Sequence, residues 1–460
     1  MQRIVAIAGL TWKAAFRYRL FWVLAALLIG AVVGLPLLIK DDGTARGFTQ
    51  ILMTYTLSAI TGLLGLATLW LACGTLARDI EEAQIQMIAV KPIARWQIWI
   101  GKWLGILSLN ALLLAIAGSS VFFLLQWRAN RLSPDQQHVL RNEVLVARAG
   151  VKEVLPDLNA AIDAELQRRL QATTVNPTNV HAMREQIEQQ SKAGIQSVRA
   201  GGYRPWRIEL GQARKALKDQ PLYLRVKFFA AENNPLGTFT ALWQIGNPET
   251  KRFWRSEPMS LAAETFHEFE IPPNLFDENG TLEIVFGNAN DMTLLFPLED
   301  GLEVLYREGT FGLNFARGLG IIFFWLALLA ALGLAAASFL SFPVAAFVSM
   351  AVLIMGLSSG TLTSVVEEGT ILGVDHETGI ADGTSVLDFV MVPFFRAFLK
   401  VINLVQGFSP IDSLSTGRSI TWGTLGIAFT QIVLLLGGIL GAIGIITFTR
   451  RELATAQGNS

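Results

Sequence analysis

Cysteine is nearly absent from this chain of 460 residues. Cys73 stands alone, which excludes an intrachain disulfide and any cysteine-based metal cluster. Charge is scarce too: 16% of residues are Asp, Glu, Lys or Arg, where a globular chain carries about 25%. The charges cancel, 37 basic against 37 acidic, so no global field draws in nucleic acid or an acidic partner. The four histidines, His138, His181, His267 and His376, are scattered. No P-loop is present, because Gly101-Lys102 lacks both the upstream glycine and a following Ser or Thr. No H-E-x-x-H or C-x-x-C occurs, and no nucleophile elbow is read. No charged residue interrupts the middle of a long apolar run, which argues against an intramembrane proton relay. Any energy source must therefore come from elsewhere.

What is abundant is apolar sequence, 52% of the residues. Uncharged runs at 20–39, 47–77, 103–127 and 419–449 are each long enough to cross a bilayer, which takes about 20 apolar residues. Residues 318–366 carry no charge over 49 positions, enough for two helices, with Ser341-Phe342-Pro343 marking the turn between them. The expected fold is an α-helical polytopic membrane protein with six transmembrane helices. Arg3, Lys13, Arg17 and Arg19, then Arg78, Lys91, Arg95 and Lys102, then Arg450 and Arg451 place both termini on the cytoplasmic side. The apolar run between Arg3 and Lys13 is too short to span and reads as an amphipathic helix along the inner surface. It is not a cleavable signal peptide, since basic residues precede a full-length span and no small-residue cleavage site follows. Cys73 falls near the inner end of the second span, where packing is its expected role.

The topology puts an insert, residues 128–308, outside. Residues 133–200 are polar and suit a helical stalk, bounded at Pro134 and Asn176-Pro177. From Pro221 the pattern alternates: Leu222, Leu224, Val226 and Phe228, and later Leu282, Ile284 and Phe286, share a face. Short strands separated by turns over 221–308 predict a β-sandwich. Trp243 and Trp254 are either a sugar-stacking platform or core packing, and packing is the favoured reading. Residues 367–418 also lie outside. There Glu367, Glu368, Asp375, His376 and Glu377 suit either a divalent cation or, as favoured, a solvated loop. Residues 385–405 are apolar with a polar stripe of Asp388, Arg396, Lys400 and Asn403. Three charges are expensive in a span, so an interfacial or re-entrant helix at the outer face is expected.

The stretch from Arg78 to Lys102 is more elaborate than a turn between two spans requires. It starts acidic, with Asp79, Glu81 and Glu82, places Ile85, Ile88 and Ala89 at helical spacing, and ends basic around Pro92. Periodicity alone allows a solvated loop. Yet Asp79-Ile80-Glu81-Glu82-Ala83-Gln84, followed by Pro92-Ile93-Ala94-Arg95, resembles the coupling segment of type-two ABC exporter permeases. The offsets match without a gap, and the departure is Ala83-Gln84 where Gly-Thr is usual. The C-terminal Thr447–Glu452 run is similar to the same family's, and the resemblance covers roughly 1–127 and 316–453. Permeases of the gliding-motility and copper-enzyme-maturation kind are the recognisable relatives.

The resemblance implies a permease in the cytoplasmic membrane, with a coupling helix at 78–95 that docks on a separate ABC ATPase subunit. Asp79, Glu81, Glu82, Lys91, Pro92 and Arg95 would carry that contact. It implies no catalysis by this chain, ATP and Mg being bound by the partner. It also implies a second permease subunit, the seam formed by the first and fifth spans, where Gly30/Gly34 and Gly356/Gly360 fall. Gly437 and Gly441 are expected to pack internally. Residues 128–308 lie outside the pattern, and 454–460 form a cytoplasmic tail. The rival reading is a membrane-anchored receptor or scaffold whose β-domain binds an extracytoplasmic ligand.

Overall fold

A computed structural model describes the chain except residues 1, 18, 39–43, 83–92, 155–156, 173–179, 216, 232–236, 248–251, 372–386 and 452–460. It divides into two compact units, Met1–Ala147 with Gly309–Ser460, and Arg148–Glu308.

The first unit is helical, as long uncharged runs require: with no water in a bilayer, each backbone polar group must be satisfied within its own helix. Its helices are α1 (Gln2–Arg17), α2 (Arg19–Leu38), α3 (Ala45–Glu81), α4 (Arg95–Ala129) and the short α5 (Pro134–Val139). After the second unit the chain returns as α8 (Phe311–Ala337), α9 (Phe342–Leu357), α10 (Ser359–Glu368), α11 (Asp388–Gln406), α12 (Pro410–Ser415) and α13 (Trp422–Arg450). Among the described residues α3, α4, α8 and α13 are long and apolar enough to cross a membrane. The chain is a membrane protein with these four candidate spans. Helix α2 stands where the first of six spans is expected, with Ala25–Leu35 as its described apolar stretch.

The expected fifth span is not one straight helix. Helices α9 and α10 meet at 68°. Ser358 leaves helical geometry there, at φ −90° and ψ 18°, within a Ser-Ser-Gly run that weakens the helix. The 16 residues of α9 reach about 24 Å, short of an apolar layer of about 30 Å. Pro343 occupies the first turn of α9, where its missing N–H costs nothing.

Helix α1 does not simply lie along a surface. It buries Ile7, Thr11 and Ala15, and it runs beside α4 in the same direction. A Cβ on Gly101 would stand 2.8 Å from Ile7 Cβ, and one on Gly105 would stand 2.9 Å from the Ala8 carbonyl oxygen. These two glycines, four apart, let the backbones approach. Trp12 Nε1 then donates to Ser108 Oγ at 2.8 Å. Cys73 is a packing residue as expected, fully buried near the Gly333 carbonyl and Ser349 Oγ, each 3.6 Å from its sulfur.

Helix α11 begins close to the expected interfacial helix, but its polar stripe is one residue shorter. Asp388 is buried and accepts from the Ile371 amide at 3.0 Å and Thr370 Oγ1 at 3.3 Å. Arg396, Lys400 and Asn403 are exposed.

The second unit is rich in strands and carries a helical pair, α6 (Leu158–Ala172) and α7 (Val180–Gln196). Strands β1 (Val146–Val151), β12 (Leu302–Thr310), β4 (Leu222–Val226) and β9 (His267–Ile271) form one sheet in that spatial order. A second has β3 (Tyr203–Glu209), β10 (Thr281–Asn288), β6 (Thr238–Asn247) and β7 (Arg252–Arg255), with β8 (Met259–Ala262) also on β6. Short strands β2 (Ser197–Val198), β11 (Leu294–Leu295) and β5 (Phe229–Ala230) make a third. Leu222, Leu224 and Val304 of the first sheet share one apolar core with Trp206, Trp243, Ile284 and Phe286 of the second. The strands thus begin well before residue 221: β1 lies inside the stretch expected to be a helical stalk, and β3 follows it directly. Trp243 is a core residue, 2% exposed, and Trp254 packs partly buried against the same core. Neither forms a sugar platform.

Two inward-facing arginines are accommodated by partners. Arg148 forms a buried ion pair with Glu268. Arg204 Nη2 stands 3.6 Å from Glu153 Oε2, its guanidinium 4.5 Å above the Trp206 ring. Burial pushes the Glu153 carboxyl up and the Arg204 guanidinium down, while their mutual attraction opposes both shifts.

Candidate partner-docking end of the helical bundle

The acidic start of the 78–95 stretch is not loop. Helix α3 continues to Glu81, so Asp79 and Glu81 sit on its last turn, and Glu82 caps it. Arg95 opens α4. Ile85, Ile88, Ala89, Lys91 and Pro92 lie outside the described residues, as does the expected helix through them. The described residues on either side are tied into the bundle.

Asp79 Oδ2 receives Lys102 Nζ at 2.6 Å, and the same ammonium donates to the Thr75 carbonyl at 2.8 Å. Lys102 keeps only 7% of its side chain exposed, so a buried cation is held by a carboxylate and by the end of α3. Glu81 Oε1 accepts from the Phe342 amide at 2.8 Å, capping the first turn of α9. Arg78 stacks on the Phe342 ring, 4.5 Å from its centroid. At the other flank Arg95 Nη1 donates to three carbonyls at the end of α13: Phe448 and Thr449 at 2.9 Å and Arg451 at 2.7 Å. Arg451 in turn donates to the Ser338 carbonyl beyond the end of α8, at 3.2 Å. Ends of five helices therefore meet around the two flanks of 83–92.

Arg95 satisfies carbonyls that the end of any helix leaves without an intrahelical partner. Arg95→Ala is therefore expected to cost about 1.5–3 kcal/mol, the range for hydrogen bonds to a charged group. Hydrogen exchange should accelerate in the last turn of α13. Arg95→Lys should restore protection in part, since all three bonds run to one nitrogen and an ammonium also offers three donors. Exchange unchanged in both variants would show that the clamp is idle.

The glycines expected at a subunit seam divide. An added Cβ meets nothing within 4 Å at Gly30, Gly34 or Gly360, whereas at Gly356 it meets Ile402 Cδ1 at 3.3 Å. Gly441 packs internally as expected, where an added Cβ would stand 3.3 Å from the Trp99 ring, and one on Gly444 would stand closer still, 2.7 Å from Trp99 Nε1. Gly437 meets only the Ile432 carbonyl of its own helix. Gly101 and Gly105, which do meet another helix inside the unit, carry the same four-residue spacing in the sequence.

Among the described residues no group of three or more His, Cys, Asp or Glu is arranged to hold a metal ion. Asp375, His376 and Glu377 lie outside the described residues. Gly356-Leu357-Ser358-Ser359-Gly360 does carry the G-x-S-x-G spacing, but it joins two helices with no strand before it. The strained strand-to-helix elbow that exposes a nucleophile is not formed there. No family model, no curated protein and no solved structure matches this chain.

Proposed function

We propose that this chain is the permease subunit of an ATP-binding-cassette exporter, driven by a separate ATPase that docks on the 78–95 stretch. The observation that carries the reading is the double anchorage of that stretch. Asp79–Lys102 on one flank and Arg95 with the α13 carbonyls on the other tie the segment between them to several helices. A force applied at 83–92 acts on α3, α4, α9 and α13 together, and packed helices with fixed ends transmit displacement. In this reading both termini and 83–92 face the cytoplasm, residues 148–308 form an extracytoplasmic β-sandwich with its helical pair, and the partner binds ATP and Mg. The division of labour assigns docking to Glu82, Lys91 and Pro92, and assigns to Asp79, Glu81 and Arg95 the transmission of the stroke.

Lys91→Glu separates these roles. Purified from its native membranes, the unaltered chain should retain a P-loop ATPase and its ATP hydrolysis. The variant should lose that subunit while its thermal unfolding stays unchanged. An ATPase retained by Lys91→Glu, or absent from the unaltered complex, defeats the reading.

Pairing with a second permease belongs to the same proposal. Its support is the open space at Gly30, Gly34 and Gly360. A single cysteine at Gly34 should cross-link between copies in membranes, whereas one at Gly441, against Trp99, should not. The reverse pattern would move the seam to α13.

The receptor reading draws on one feature of the second unit. Tyr203, Gly287 and Leu242 pair in one row across β3, β10 and β6, and Tyr203 is 77% exposed. A native complex without any ATPase would favour it.

A further inference from the structure

Helices α2 and α4 leave an open cleft between them, of about 310 Å³, lined by Val32, Val33, Ser120, Phe123, Leu124 and Trp127. That volume sits at the low end of the range for ligand clefts, about 300–1,000 Å³. The cleft offers almost no polar atom to an occupant. Its hydroxyl, Ser120 Oγ, is already spent on the Ile116 carbonyl at 2.8 Å. Phe123 is 69% exposed and Trp127 47% exposed, so the cleft opens outward from the bundle.

Charge sits at one end of it. The chain turns back after α4 through the Arg131 amide to the Arg128 carbonyl, at 2.9 Å. That turn holds the exposed Arg131 guanidinium 4.1 Å from the centroid of the Trp127 ring. The ring that closes the cleft on one side thus carries a cation on its face. Arg128 is near the same end, with its guanidinium 5.5 Å from the Phe48 ring. An apolar cleft in a membrane helix pair, capped by a cation, is complementary to an amphiphile with a negative head. We propose that it holds one acyl chain of an anionic phospholipid, whose phosphate pairs with Arg131. Trp and Arg are also common general anchors at membrane interfaces. A general anchor also attracts anionic headgroups but does not need the cleft, so the cleft-filling variants separate the two. The proposal does not rest on an ATPase partner.

The test is native mass spectrometry of the full chain in detergent, titrated with dioleoyl phosphatidylglycerol or dioleoyl phosphatidylcholine, which share their acyl chains. One phosphatidylglycerol is expected to be retained about tenfold more tightly than phosphatidylcholine, the size of one charge-assisted contact. Arg131→Gln should bring the ratio close to one. Val33→Trp and Ser120→Leu, which fill the cleft from opposite helices, should each weaken both lipids at unchanged thermal stability. Glycerol phosphate, the head without tails, should not compete. Equal retention of the two lipids by the unaltered chain overturns the proposal. So does a preference that survives Arg131→Gln and the cleft-filling variants. Competition by glycerol phosphate would reassign the site to a free phosphate. Loss of a dimer in Val33→Trp with lipid retention intact would assign the cleft to a second copy of the chain.

Discussion

Asp79→Ala should destabilise the helical unit by about 3–5 kcal/mol, the cost of leaving a buried charge without its partner. Lys102 is the reason. Its ammonium is 2.6 Å from Asp79 Oδ2 and 2.8 Å from the Thr75 carbonyl, and its side chain is 7% exposed. Without the carboxylate, one carbonyl must hold the whole charge, or the lysine must swing toward water and abandon its packing on α3. The double variant Asp79→Ala/Lys102→Met removes the charge together with its partner and should regain more than half of the loss. Thermal unfolding of the full chain in detergent, with both variants and the unaltered chain side by side, reads the difference. Equal losses in the single and double variants would mean that packing, not the ion pair, holds this end of the bundle.

Trp243→Ala is the second large effect, about 3–5 kcal/mol for removing a buried tryptophan. The indole lies 4.9 Å from the Phe286 ring, 5.9 Å from Phe269 and 6.2 Å from Trp206. Rings from both sheets lose a neighbour at once. Its Nε1 has no hydrogen-bond partner among the described residues, so Trp243→Phe gives up ring area but also an unsatisfied donor. The phenylalanine variant should retain most of the stability that alanine loses. Hydrogen exchange along β6 and β10 measures both, with Tyr203→Ala as an exposed control expected within about 0.5 kcal/mol of the unaltered chain. Similar protection in Trp243→Ala and the control would remove Trp243 from the core.

The bundle was readable because the bilayer imposes a simple rule. Long runs without charge become helices, and α3, α4, α8 and α13 cover four of the six expected spans. Strands β4 and β10 were readable for a different reason: their apolar residues alternate, and those positions face one core. Strands β1 and β3 escaped notice because the inward positions carry Arg148 and Arg204. Once paired with Glu268 and Glu153 these residues are compatible with burial, but in sequence they break the apolar alternation. The bend at Ser358 was equally hidden, since 342–366 is apolar on both sides of it and composition does not record a change of direction.

The sequence by itself determined where the long helices of the membrane unit lie, that a separate unit interrupts them (beginning at Arg148 and not at the expected residue 128), and that the stretch from Arg78 to Lys102 is unusually charged. Those are local properties of apolar runs, alternation and charge spacing. What those charges do was decided only by tertiary structure. Asp79 meets a residue 23 positions away, Glu81 one 261 away and Arg95 carbonyls more than 350 away. The family resemblance makes them a surface offered to a partner; in the fold three of them tie helix ends together. The same holds for the glycines. Gly30/Gly34 and Gly101/Gly105 share a spacing, yet only the second pair is filled by another helix of this chain, because α1 lies against it.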